Sequence, residues 1–114
     1  MSAAYRANVF LAYSRLDQAR ALGLIRALEA SGISVWWDVA NIPIGVDWAQ
    51  YLADQVSAAQ CVVVLWSPAS VESRWVRFEA EFAARRGVLL PALIDLVDIP
   101  PPFNRLNAAS LVGW

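Results

Sequence analysis

Few side chains in this sequence could do chemistry, because its 114 residues include no histidine and no lysine. All nine basic residues are arginines, and Cys61 is the only cysteine. These absences exclude Ser-His-Asp and Cys-His catalysis, histidine metal sites, Schiff-base lysines and a Walker lysine. Any reaction must depend on carboxylates, arginines, hydroxyls, aromatic rings and backbone groups. Such a set favours chemistry that needs charge stabilisation rather than a proton shuttle at neutral pH, and no metal site is expected.

One carboxylate stands out by its position. Three aromatic residues recur at helical spacing and lie within roughly 60° of one another around the predicted helix axis: Trp75, Phe78 and Phe82. Glu79 lies roughly 40° from Trp75, at the edge of this aromatic stripe. A carboxylate there is either a working group or a half-exposed structural one that borders a groove or pairs with Arg86. The residue pattern alone leaves both interpretations open.

Composition limits the class of protein. A chain of this length predicts one domain over residues 1–114. The hydrophobic fraction of 59% and mean hydropathy of +0.45 indicate an ample core and apolar surface left over for a partner. The net charge of −1 gives no electrostatic case for nucleic acid or an anionic membrane. No apolar run approaches the roughly 18 residues of a membrane span, and no signal peptide is visible, so a cytoplasmic location is expected.

Apolar runs alternate with helical patterns along the chain. Strands are predicted at residues 8–13, 33–37, 61–66 and 88–94, with a short last strand at residues 110–114. Helices are predicted after Asp17 and Asp47, both plausible N-caps, and across residues 67–87, where Ser70 or Ser73 is the expected cap. Pro91 should require a bulge or a missing ladder bond in the fourth strand.

This alternation predicts an α/β fold, a doubly wound flavodoxin-like sheet of five parallel strands in the order 2-1-3-4-5 with flanking helices. Ligands of such sheets bind outside the carboxyl ends of the strands, at the switch point between the first and third strands. The loop at residues 13–15 and the turn at residues 67–68 emerge there, beside a Pro- and Gly-containing loop, residues 38–47. Topology should therefore bring these segments close to the Glu79 helix.

The same residues carry a resemblance. The runs VFLAYSRLD, VWWD, IPIG, VDW and VVVLWSP, and the pattern S-x-W-x-x-x-E from Ser73 to Glu79, occur in the order and spacing of a TIR domain of the bacterial type. The match extends from about Asn8 to Trp114, and the closing LVGW is similar to the family's last strand. The family normally continues with one more helix. We therefore expect one domain of a longer protein, with an adjoining or partner regulatory domain.

This resemblance implies two alternative functions. Some TIR domains hydrolyse NAD⁺ at the nicotinamide-ribose bond, releasing nicotinamide and ADP-ribose or a cyclic isomer, in signalling or immunity. Others are non-catalytic scaffolds that act by homotypic TIR-TIR interaction. The enzymatic branch uses a glutamate four residues after a tryptophan, a position held here by Glu79. NAD⁺ would then be the substrate, and no cofactor is implied.

The resemblance also implies which residues would surround NAD⁺. Tyr13 and Ser14 would contact it through backbone near the nicotinamide, and Trp36 would stack on an aromatic ring unless it is core. Trp75 and Ser67 join this set, although Ser67 suits a turn-and-cap role equally well. Arg15 is a candidate for the pyrophosphate or ribose because arginine makes bidentate phosphate contacts; otherwise it is a surface residue.

Asp38 is expected to tie down the loop at residues 38–47. No other charged residue lies inside this loop before Asp47. A polar contact from the loop to NAD⁺ is therefore not expected, and the resemblance implies a role in self-association, with one subunit's loop completing the next subunit's site. We expect the isolated domain to show little or no activity at low concentration.

Overall fold

A computed structural model describes residues 8–37 and 44–114. The described strands are β1 (Asn8–Ala12), β2 (Ser34–Trp36), β3 (Cys61–Trp66), β4 (Leu89–Leu93) and β5 (Ala109–Ser110). The α-helices are α1 (Gln18–Ala30), α2 (Trp48–Ala58), α3 (Pro68–Val71) and α4 (Arg74–Arg86). Short 3₁₀ turns occupy Arg15–Asp17 and Phe103–Arg105.

The five strands form one parallel sheet in the order β2-β1-β3-β4-β5, which confirms the predicted topology. Continuous registers join β1 to β2, β1 to β3 and β3 to β4. The side of the sheet on which new strands are added changes between β1 and β3: β2 lies on one side of β1, and β3 lies on the other. The carboxyl ends of these two central strands therefore flank the crevice where this fold binds ligands.

Each face of the sheet has its own core. One face carries Phe10, Val62, Val64 and Trp66 and is covered by α2 and α4. The opposite face carries Leu11 and Leu65 and is covered by α1 through Ala21 and Ile25. Strands buried on both faces have few polar positions, which explains the uninterrupted apolar runs in the sequence.

Helix ends follow the capping chemistry of the sequence at several positions. The Asp47 side chain accepts hydrogen bonds from the backbone N–H groups of residues 49 and 50 at 3.0 and 3.3 Å, which confirms it as the cap of α2. The predicted helix over residues 67–87 is two helices, because Ser67 caps α3 and Ser73 caps a new helix, α4. Gly87 ends α4 with a left-handed φ of 72°.

Two strand predictions were wrong. The last strand is only Ala109–Ser110, paired with Ala92 and Leu93, and lies before most of the predicted range 110–114. Pro91 causes no bulge, because β4 pairs with β3 in unbroken register through it. Backbone groups of Val88 and Ile94 bond to β3. The backbone groups of even-numbered residues in β4 therefore point toward β3, and the backbone nitrogen of Pro91 points away from it. The pairing with β5 on that other side begins only at Ala92. The missing N–H of Pro91 therefore costs no bond to β3.

Candidate functional site

A cleft of about 320 Å³ opens at the predicted crevice. Its lining combines hydroxyl groups, one guanidinium and two aromatic rings: Tyr13, Ser14, Arg15, Ser73 and Trp75. We call this set the Arg15 cleft. Four of the five residues were predicted site residues, and the fold brings them together from the end of β1 and the start of α4. The volume lies in the roughly 300–1,000 Å³ range of small-ligand sites.

Local capping positions these side chains. The Ser14 hydroxyl accepts a hydrogen bond from the Leu16 N–H at 3.3 Å and starts the 3₁₀ turn that presents Arg15 to solvent. The Ser73 hydroxyl accepts from the Val76 N–H at 3.2 Å and starts α4, so Trp75 sits in the first turn of that helix. The lining is thus fixed by two N-caps rather than by long loops.

A buried polar network joins the two loops behind the Arg15 cleft. The Ser67 hydroxyl donates to the Asp17 carboxylate, and both residues are buried. Arg20 donates to the same carboxylate at 2.7 Å and forms a second ion pair with Asp95. Asp17 occupies the predicted N-cap position of α1, but its side chain makes no cap bond to that helix. Ser67, which follows β3, and Arg20 on α1 hold the carboxylate instead.

Ser67 is therefore occupied inside the protein. Its hydroxyl and that of Ser70 form a reciprocal capping box at the start of α3, and both are fully buried. The geometry places Ser67 behind the cleft, where it links the third strand to Asp17, and not among the residues that line the cleft. Its turn-and-cap role is the one that the hydrogen bonds describe.

Glu79 lies on the inner face of α4, one helical turn after Trp75. Only 1% of the residue is exposed, and its Oε1 has no hydrogen-bond partner among the described residues. Burial raises the pKa of this carboxyl well above its usual range. The expectation of a half-exposed glutamate paired with Arg86 was wrong, since Arg86 donates to the backbone oxygens of Val56 and Ala59 at 2.6 and 3.1 Å.

The aromatic stripe does not form the inner face of α4. Trp75, Phe78 and Phe82 are only partly buried, and Trp48 at the start of α2 stacks on Trp75. The fully buried face consists of Glu79 and three smaller residues: Val76, Ala80 and Ala83. Small side chains let the helix lie close to the sheet. Glu79 is therefore at the centre of the buried face rather than at its edge.

Of the other predicted site residues, Trp36 lies away from the Arg15 cleft. Trp36 stacks on Phe10 with ring centroids 4.8 Å apart and lines a separate cleft of about 250 Å³ with the end of α2. The core interpretation left open for Trp36 thus describes its contacts in this structure. Asp38 lies outside the described residues, as does the loop up to residue 43.

One residue that lines the Arg15 cleft and one residue buried behind it were not among the predicted site residues. Ser73 was considered only as a helix cap, yet it lines the cleft as well. The sequence could have indicated this role, because Ser73 is the first residue of the S-x-W-x-x-x-E pattern that ends at Glu79. Asp17 was read as a cap because a carboxylate before an apolar helix usually is one. No local signal could reveal its bond to Ser67, which lies 50 residues away.

The described residues set limits on other kinds of site. No group of three or more acidic or cysteine side chains within residues 8–37 and 44–114 is placed to hold a metal ion. Across the same ranges, no helix has the length and apolar character needed to cross a bilayer.

The model of a family described as the TIR domain matches residues 9–114. The chain belongs to the TIR domain family. The TIR domain of the Toll-related receptor TRR-2 from Hydra magnipapillata has the same fold, with a TM-score of 0.83 and 17% identity over 90% of this chain and 82% of that one.

Two further relatives contain a similar domain within a larger protein. A metazoan TIR-STING receptor from C. gigas, solved with 2′,3′-cGAMP, gives a TM-score of 0.74 at 25% identity over 90% of this TIR domain and 34% of that chain. The stimulator of interferon genes protein of Magallana gigas is 26% identical over 115 residues, 92% of this chain and 28% of its own length. This TIR domain therefore spans little more than a quarter of the curated relative.

Proposed function

We propose that this TIR domain hydrolyses NAD⁺ at the nicotinamide-ribose bond, with Glu79 as the catalytic carboxylate. One observation carries the proposal: a buried carboxyl, whose Oε1 has no hydrogen-bond partner within residues 8–37 and 44–114, lies one helical turn from Trp75, which lines the Arg15 cleft. An unpaired buried carboxyl destabilises a fold, so its presence beside a ligand-sized cleft favours a working group over a structural one. The TIR resemblance assigns the same role to this position.

The reaction suits a site with no histidine. The bond between ribose C1′ and nicotinamide N1 breaks, and its electron pair neutralises the pyridinium ring, so no general acid is needed. The ribosyl group then carries oxocarbenium-like positive charge, as in glycoside cleavage, and water adds at C1′ with loss of a proton. A carboxylate in a site of low dielectric would stabilise that developing charge strongly. NAD⁺ is the substrate in this scheme and not a resident cofactor.

The charge state of Glu79 links substrate binding to activation. Because burial favours the neutral carboxyl, the group must lose its proton before it can stabilise a cation. A nearby pyridinium charge favours the ionised form, so cationic substrate would help to create the catalytic species. The burial of this carboxyl, with its raised pKa, also supports the expectation that the dilute, isolated domain has little activity until assembly opens the site.

The decisive experiment compares nicotinamide release by the wild-type domain, Glu79→Gln and Glu81→Gln at high protein concentration. Glu81 provides a matched control, because it lies two residues away on the same helix, is exposed and pairs with Arg85. We expect release from wild type and from E81Q, and none from E79Q. Equal release from all three proteins would assign the activity to another residue. Absence of release from wild type, even under assembling conditions, would favour the scaffold function.

A non-catalytic scaffold that acts through TIR-TIR contacts is the second candidate. It is favoured by the apolar side chains that follow the undescribed part of the 38–47 loop: Ile44 is fully exposed and Val46 is 44% exposed. Exposed apolar residues in sequence are typical of a contact surface. If they mediate self-association, Ile44→Asp should abolish the concentration dependence of sedimentation, whereas Leu90→Asp, at another exposed apolar position, should preserve it.

The setting of the domain is part of the same proposal. Its relatives are called receptors and a stimulator of interferon genes, and a TIR domain is only a fraction of each. We propose a signalling role in which an adjoining or partner domain receives the stimulus and brings TIR domains together. Full-length protein should then release nicotinamide at concentrations at which the isolated domain does not.

A further inference from the structure

A second cleft adjoins the first. It has a volume of about 460 Å³ and is lined by three aromatic rings and one guanidinium: Trp48, Arg74, Trp75 and Phe78. We call it the Trp48 cleft. Trp75 lines this cleft as well as the Arg15 cleft, so the two clefts are neighbours with one indole as their common wall. Nothing in the proposed chemistry at Glu79 accounts for the second cleft.

The Trp48 cleft is built at the start of two helices. Asp47 caps α2, and Trp48 is the first residue of that helix, with its ring stacked on Trp75 at a centroid distance of 4.7 Å and an angle of 22°. Phe78 meets the edge of the same ring at 5.9 Å. These contacts fix the orientation of Trp48 while 47% of the residue stays exposed. A large aromatic ring is thus held rigidly with a surface open to solvent.

Arg74 supplies the charge at this cleft. It is the first residue of α4, it is exposed, and within residues 8–37 and 44–114 it forms no ion pair. Arg15 is likewise exposed in the first cleft. Two exposed guanidinium groups, one in each cleft, with an indole between them, match a ligand that carries negative charge between two planar rings.

We propose that the Trp48 cleft binds the adenosine half of the dinucleotide, with the purine on the exposed face of Trp48 and the pyrophosphate near Arg74. This rests on the proposed function, in which the Arg15 cleft takes the nicotinamide ribose. The other base is then left for the neighbouring cleft. Stacking is available to any base, and a ring already oriented by its neighbours loses little freedom on binding.

Binding of 5′-AMP tests this assignment independently of catalysis. Each tryptophan gives one indole N–H signal in a nitrogen-15 correlation spectrum, and the Trp48 signal is assigned by its loss in Trp48→Leu. We expect AMP to shift the Trp48 signal and W48L to weaken AMP binding about tenfold. Trp114→Leu is the matched control, since Trp114 is also exposed but packs near Gly23 on α1. Shifts confined to other sites, or equal weakening in both variants, would overturn the proposal.

Leucine keeps an apolar side chain beside Trp75, so W48L tests the loss of the ring rather than the loss of packing. Circular dichroism checks that the variant is folded. If W48L is not folded, Trp48→Phe provides a second test. This variant keeps an aromatic ring, so its AMP affinity should stay within about threefold of the wild-type value. A phenylalanine variant that folds but no longer binds AMP would refute stacking as the source of affinity.

Kinetics separate this proposal from the proposed function. Trp48→Leu should raise the KM for NAD⁺ about tenfold with little change in kcat, whereas E79Q should abolish kcat. Arg74→Ala should also raise KM, and Arg85→Ala, which removes an exposed arginine from the same helix, should not. If E79Q remains active, the catalytic assignment fails while the AMP result still decides the adenosine site. If E79Q is inactive and W48L has wild-type KM, only the adenosine site fails.

Discussion

Replacing Glu79 by glutamine should stabilise the fold at neutral pH, by an amount that grows with pH. Burial raises the pKa of this carboxyl well above that of an exposed glutamate, which is about 4.3 in the unfolded chain. Between these two values the folded state keeps the proton and the unfolded state releases it. The wild-type free energy of unfolding is therefore highest below about pH 4.3 and falls as pH rises toward the folded pKa.

The magnitude follows from proton linkage. Across that window the wild-type free energy of unfolding should fall by up to about 1.4 kcal/mol for each unit of pH. Glutamine has nearly the same shape and does not titrate, so E79Q lacks this contribution. Every other titrating group is common to both proteins and cancels in the difference. The stability difference should therefore be small near pH 4 and widen steadily above it.

Urea denaturation followed by circular dichroism between about pH 4 and pH 8 measures this difference. E81Q serves as the control, because it makes the same chemical change at an exposed position of the same helix. A difference between E79Q and wild type that stays constant with pH would refute the assignment of a neutral buried carboxyl. A loss of stability in E79Q that grows with pH would mean that the carboxylate is charged and held by a partner.

Three further predictions follow. The rate of NAD⁺ cleavage should rise with pH, because only ionised Glu79 stabilises the ribosyl cation. The apparent pKa of this rise should lie above the usual range of a glutamate, and a value near 4.3 would contradict this. Asp17→Asn should lower the free energy of unfolding in urea by about 1 to 3 kcal/mol, while exposed Asp54→Asn should change it little. Gly87→Ala should lower the melting temperature, because a left-handed φ costs alanine about 1 to 2 kcal/mol. Gly23→Ala should not lower it, because Gly23 lies inside α1 and the new methyl would meet Trp114 at an ordinary contact distance of 3.8 Å.

The sheet was predictable because its signals are local and repeated. Each buried strand is an apolar run, each crossover contains a helical pattern, and right-handed crossovers leave few possible orders. The caps at Asp47 and Ser73 followed from side-chain chemistry within three residues. The Arg15 cleft followed in part from topology, because the loop after β1 must open at the switch point.

The burial of Glu79 was not predictable from spacing. A helical wheel places the core beneath the largest apolar residues, which made the stripe of Trp75 and Phe78 the expected inner face. In the fold, Trp48 covers that stripe, and the sheet receives the smaller residues of α4 together with Glu79. Which of two apolar faces meets the sheet depends on the partner helix. That partner lies more than 25 residues away in the sequence.

The buried carboxyl and the two clefts together explain why activity should depend on assembly. In the described conformation, Glu79 is sealed beneath α4 while the Arg15 and Trp48 clefts are open. Dinucleotide could therefore be held before the carboxylate is available. Under the proposed function, a catalytic state would have to expose or rehydrate a carboxyl whose pKa is raised by burial, and this costs free energy that the isolated chain does not recover. Contacts formed only in an assembled state would offset that cost, and the same contacts would leave the dilute domain stable and inactive.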